Sequence, residues 1–226
     1  MAVAAVGAAL PLLASPRIAV AQGRTLSFTG EMASTEHRVN DRSVGGGVET
    51  STGTLLGAGV RLTLGSRATI GVTGRSGVLH PGSGATLPRD VAELALDGAY
   101  RMRSWFDIVV GVRVRSYTTL VARQRWTAPY LGVATRVPFA VAGLRGLLDV
   151  TVHPFASVSG LTRPELAISS GVAMAYSRGR VDVQLGYALE RYDFARATVD
   201  ERLEQVSAVR LRVEVRGWRW GEGGAP

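Results

Sequence analysis

Three histidines, His37, His80 and His153, are the side chains best suited to acid–base or metal chemistry, and each stands alone in the sequence. A transition-metal site needs three or four converging ligands. No H-x-H or H-x-x-x-H spacing and no cysteine supplies them, so no metal is expected. His153 has Ser157 and Ser159 nearby, the residue types of a nucleophilic hydrolase in which a base takes the serine proton. A plain hydrogen bond made by an inward-facing His153 is the simpler expectation, because short spacings arise easily in a serine-rich segment. His80 and Asp90 flank a second polar stretch. Gly45-Gly46-Gly47 has neither the lysine nor the strand-loop-helix setting of a phosphate cradle, so it reads as loop and no cofactor is expected.

Ionic side chains are far more abundant than catalytic ones. The chain of 226 residues carries 26 basic residues against 18 acids, a formal net charge of +8, and every basic residue is arginine. Arginine keeps its charge in almost any surroundings and forks onto carboxylates and phosphates. The arginines are dispersed singly and no zinc-finger, RRM or KH signature accompanies them, so nucleic acid is not an expected partner.

What positions these charges is a period of two. Val110, Val112 and Val114 interleave with Gly111, Arg113 and Arg115, and Val209, Leu211, Val213 and Val215 interleave with Arg210, Arg212, Glu214 and Arg216. Such alternation marks extended strands with one residue set on each face. Ten strands are predicted, at 25–35, 53–65, 67–78, 91–102, 105–117, 127–137, 147–155, 165–177, 180–191 and 206–218. The links at Gly65-Ser66, Met102-Arg103-Ser104, Arg178-Gly179 and Pro138 to Gly146 are short or compact. Those at 36–52, 79–90, 118–126, 156–164 and 192–205 are longer and polar.

One face is apolar along every strand. The other carries Glu31, Arg61, Arg75, Glu93, Asp97, Arg101, Asp107, Arg113, Arg115, Arg136, Asp149, Asp182, Gln184, Glu190, Arg210, Arg212, Glu214 and Arg216, which is nine arginines against eight acids. A soluble barrel would turn this ionic face to water, whereas a transmembrane barrel turns the apolar face to lipid and keeps the charges in its lumen. The second arrangement is expected. A single arginine on the lipid face would cost about 2–4 kcal/mol at the bilayer midplane, and no strand body places one there. Aromatic residues gather near strand ends, with Tyr100, Trp105, Phe106, Tyr176, Trp218 and Trp220 toward the short turns. Tyr117, Trp126, Tyr130 and Tyr192 lie toward the long loops. Two membrane-interface belts are expected from them. Residues 1–21, apolar over Ala2 to Ala14 and ending in Ala19-Val20-Ala21, read as a secretory signal peptide, leaving 22–226 as the barrel domain.

Together these features resemble the small outer-membrane β-barrel proteins of Gram-negative bacteria. The resemblance is architectural and implies an all-β, ten-stranded antiparallel up-and-down barrel with short periplasmic turns and long extracellular loops. It also implies outer-membrane lipids and the outer-membrane assembly machinery as partners. Lipopolysaccharide is a further candidate, since Arg38, Arg42, Arg89, Arg123, Arg125, Arg163, Arg196 and Arg202 fall in the predicted loops. Many such barrels end on an aromatic residue, whereas this chain runs past Trp220 into Gly-Glu-Gly-Gly-Ala-Pro. Omptin proteases resemble it in strand count, but their paired acids and Asp/His set are not matched by His80 and Asp90. Lipid A deacylases, which use a His/Ser pair, make His153 with Ser157 or Ser159 the enzymatic alternative. The expectation is a structural or surface-binding barrel whose lumen is plugged by an arginine–acid network, without catalysis. A narrow pore and a lipid-modifying or proteolytic enzyme are the alternatives.

Overall fold

The computed structural model describes residues 23–42, 46–194 and 201–220, the side chains of 218–220 excepted. The predicted signal peptide, Arg196, and the rings of Trp218 and Trp220 therefore lie outside the described residues. Alternation produces the expected strands: β1 (Arg24–Asp41), β2 (Val48–Leu64), β3 (Ala68–Pro81), β4 (Arg89–Arg103), β5 (Phe106–Thr118), β6 (Arg123–Pro138), β7 (Leu144–Val152), β8 (Ser157–Val158), β9 (Pro164–Arg178), β10 (Val181–Phe194) and β11 (Arg202–Trp220). β8 is a two-residue stub on β6. The other ten form an antiparallel ring in sequence order, closed by β1 pairing with β11 and by β5 pairing with β6. Closure gives each of these ten strands a partner on both sides through the apolar band, where a bilayer would not tolerate an open sheet edge.

The exterior is apolar. Phe28, Met32, Leu56, Val60, Leu94, Val110, Leu131, Leu148, Val172, Leu185 and Val209 all point outward and are exposed. Bulk water would not tolerate so large a continuous apolar surface, whereas hydrocarbon would. The barrel is therefore a bilayer-spanning one, with its ionic residues inside. The short turns close tightly because Gly65 and Gly179 adopt φ of 60° and 59°, a region that side chains with a Cβ rarely enter.

The other end differs from the sequence expectation. The predicted loop 36–52 is largely strand, and 79–90 and 192–205 are strand at both ends, since β1 runs to Asp41, β2 starts at Val48, β3 runs to Pro81, and the β1–β11 ladder continues to Asp41 opposite Arg202. A ladder needs backbone hydrogen bonds rather than apolar side chains, so strands rising out of the bilayer keep pairing after the hydrophobic pattern fades. The seventh strand also shifts, from 147–155 to Leu144–Val152. Its outer end stops short of Pro154, beyond which the chain leaves the wall and turns inward.

Val110 lies at the middle of the apolar band, paired with Gly98 and Leu131. Replacing it (Val110→Arg) is expected to cost about 2–4 kcal/mol in urea unfolding of the protein refolded into vesicles. The same replacement at the outward, loop-end Ser116 should cost about 0–1 kcal/mol, as at the interface.

Candidate functional site

The lumen is divided into layers, and the charged layer at its centre is built from six strands. Glu93 on β4 accepts from Arg75 Nη2 at 2.8 Å and Arg115 Nε at 2.5 Å, with Arg113 Nε at 3.4 Å. Glu190 on β10 takes Arg113 on one oxygen and Arg115 Nη2 on the other at 2.8 Å, with Arg75 and Arg210 at 3.9 and 3.8 Å. Glu31 on β1 adds a 3.4 Å contact to Arg75. The Tyr192 hydroxyl donates to Glu190 at 3.2 Å, and Arg115 reaches the Tyr117 hydroxyl at 3.3 Å. Neither glutamate could be taken out of water without these partners, because an unpaired buried charge is very costly.

Below this layer, toward the short turns, the lumen widens into a cavity of about 610 Å³ lined by arginines and acids. Here Arg61 bonds Glu214 at 3.1 Å, Arg136 bonds Asp107, and Arg145 bonds Asp182 and, at 2.5 Å, the Ser177 hydroxyl. Asp97, Asp149, Arg101, Arg212 and Arg216 line the same cavity.

Above the charged layer the inward face becomes apolar. Leu55, Leu79, Val91, Tyr117, Trp126, Tyr192 and Phe194 form one buried cluster with Ala156 and Val158. The last two come from the segment that folds inward after β7. It is pinned by Val158 opposite Trp126 and by the Arg125 amide donating to the Ser159 hydroxyl at 2.8 Å. Trp126 packs on Tyr192 with ring centroids 4.7 Å apart. At the outer mouth, buried His37 bonds Glu204 at 3.0 Å and stacks on Tyr117 at 4.6 Å. Arg89 bridges His37 and Glu49, and Arg202 bonds Glu204, around a cavity of about 440 Å³.

Every predicted lumen residue points inward, in two groups. Glu31, Arg75, Glu93, Arg113, Arg115, Glu190 and Arg210 meet at the centre. Arg61, Asp97, Arg101, Asp107, Arg136, Asp149, Asp182, Arg212, Glu214 and Arg216 surround the lower cavity. The aromatic expectation needs correction. Tyr100, Trp105 and Tyr176 are exposed toward the short turns, with Phe106 against Trp105. Tyr117, Trp126 and Tyr192, each no more than 5% exposed, point into the lumen, and Tyr130 lies against Arg113 and His153 there. Parity could have shown this: Tyr117 shares a face with Arg115, Tyr192 with Glu190, and Trp126 and Tyr130 with Arg136.

Other members of the lumen had been assigned to loops or turns. Arg145 sits in the predicted 138–146 link, and His37, Arg89, Arg202 and Glu204 sit in the predicted outer loops. Their signal was continued alternation through polar residues. His153 is buried, but its Nε2 bonds the Ser169 hydroxyl at 3.0 Å, and Ser169 bonds Thr151 at 2.5 Å. The nearby serines of the sequence, Ser157 and Ser159, are held instead by β6. His80 and Asp90 stand on exposed positions of β3 and β4. Among the described residues no three His, Cys, Asp or Glu side chains group as metal ligands.

No protein-family model matches the chain, and no curated protein is significantly similar to it in sequence. Solved structures do match. The outer membrane protease OmpT from Escherichia coli is 11% identical over 86% of this chain and 96% of its own, with a TM-score of 0.55. The translocator domain of the autotransporter NalP from Neisseria meningitidis is 10% identical over 85% and 88%, with a TM-score of 0.49. An outer membrane channel from Pseudomonas putida F1 is 12% identical over 90% and 100%, with a TM-score of 0.47. The first of these shows that the fold is that of a Gram-negative outer-membrane barrel.

The central layer makes a sharp prediction. Glu190→Gln keeps the shape but removes the charge that Arg113 and Arg115 share, and should cost about 3–5 kcal/mol in urea titration. Asp193→Asn breaks the partly exposed pairs with Arg42 and Arg191 and should cost less than about 1 kcal/mol.

Proposed function

We propose that the protein is an integral outer-membrane barrel closed to solute flow, with a structural or surface-binding role exercised at its outer end. The observation that supports this most directly is the inward fold of the segment after β7, which puts Ala156 and Val158 into the aromatic cluster above the Glu93/Glu190 layer. A solute leaving the lower cavity would have to part a set of ion-paired guanidinium groups. It would then have to cross a packed, mainly apolar layer with few polar atoms to replace its hydration. Ten strands lie near the size at which side chains fill a barrel, far below the 16–18 of open channels.

The reading contains no catalytic step. OmpT is a protease, but a protease here would need an acid and a histidine brought together at the outer rim. One His/acid pair of the rim, His37 with Glu204, is buried and engaged by Arg89 and Arg202. Lipid hydrolysis at His153 would run through Ser169, which lies inside the wall beneath the aromatic cluster.

Planar-bilayer recording of the refolded protein tests the proposal. It should give no discrete conductance steps, with insertion verified separately by protease protection in vesicles. Regular stepwise openings from inserted protein would sink the closed-lumen reading.

A further inference from the structure

The barrel wall has a breach at its outer end. β7 stops at Val152, opposite Leu131 on β6 and Ile168 on β9. Beyond that rung β6 continues outward to Arg123 and β9 to Pro164. Across the gap the described residues make a few isolated contacts in place of a strand ladder, among them the Ser159 amide donating to the Arg125 carbonyl at 2.8 Å. The β8 stub pairs with Trp126 and Thr127, and the His153 amide donates to the Ala167 carbonyl at 2.8 Å. Pro129, Pro154 and Pro164 stand around the gap, and each lacks the N–H that a ladder would require.

A cavity of about 420 Å³ opens there, lined by Val152, Arg163, Glu165 and Leu166 together with His153 and the adjoining backbone. Val152 and Leu166 belong to the outward apolar face and are exposed. Phe155 is 67% exposed and carries the Arg163 guanidinium over its ring at 5.2 Å. A cation resting on an aromatic face keeps its charge available. The cavity thus presents, side by side, an apolar wall continuous with the lipid-facing surface, a guanidinium and a carboxylate.

We propose that this breach is a binding site for a zwitterionic phospholipid. Its phosphate would sit on Arg163, its ammonium on Glu165 and one acyl chain along Val152 and Leu166. A headgroup carrying both charges suits this cavity better than a purely anionic one, because Glu165 would repel the latter. The inference rests on the bilayer-facing exterior of the proposed function but not on the closed lumen. Conductance steps would leave it standing, and its own failure would leave the plug intact.

Native mass spectrometry of the full chain in detergent micelles provides the test. Phosphatidylethanolamine should be retained one-to-one, and phosphatidylglycerol and lipid A about tenfold less well, the difference expected for one charge-assisted contact. Arg163→Gln and Glu165→Gln should each weaken phosphatidylethanolamine about tenfold by the same measure. Arg38→Gln, on the exposed face of β1, should leave it unchanged. Equal retention of the three lipids, preference for lipid A, or indifference to both site replacements would overturn the proposal. Should a site variant fail to fold by circular dichroism, the wild-type comparison of lipids decides alone, on the same criterion.

Discussion

The interior of this barrel is organised around two glutamates. Glu93 and Glu190 between them engage Arg75, Arg113, Arg115 and Arg210, contributed by strands on opposite sides of the ring. Neither set of charges would be tolerable alone in a lumen this narrow. Together they form a cross-brace that holds the strands at fixed separation. Buried ion pairs of this kind add little net stability over an apolar core, since desolvation offsets the attraction. Their consequence is geometric: the layer can assemble only when all six contributing strands are in register.

That brace also explains why the lumen divides. Below it the wall residues are charged but less crowded, and a water-accessible cavity remains. Above it the inward positions shrink to Ala33, Ala128 and Ala208 or become aromatic. This leaves space that the chain fills with its own segment after β7. Gly111 shows the fit. A Cβ there would lie 2.5 Å from the Tyr130 ring, so the missing side chain is what lets Tyr130 lie across the wall beside Arg113.

The apolar layer at the outer end and the breached wall have one origin. By leaving the sheet at Val152 to enter the lumen, the chain adds Ala156 and Val158 to the aromatic cluster and withdraws a strand from the wall. The breach then leaves Arg163, Phe155 and Glu165 exposed beside the outward apolar face.

Alternation alone determined the strand number, the apolar exterior and the inward direction of every charge in the network. Side-chain parity is a local property, and the opposite demands of lipid and lumen make a one-residue slip intolerable. Even the inward turn of Tyr117, Trp126 and Tyr192 was written in that parity, although their place near strand ends suggested an interface. The pairing of those charges, the apolar layer above them, the bond from His153 to Ser169 and the inward path of residues 153–163 were decided only by the tertiary structure. Strand tilt and stagger set which positions face one another across a lumen. Those distances belong to the closed ring, not to any single strand.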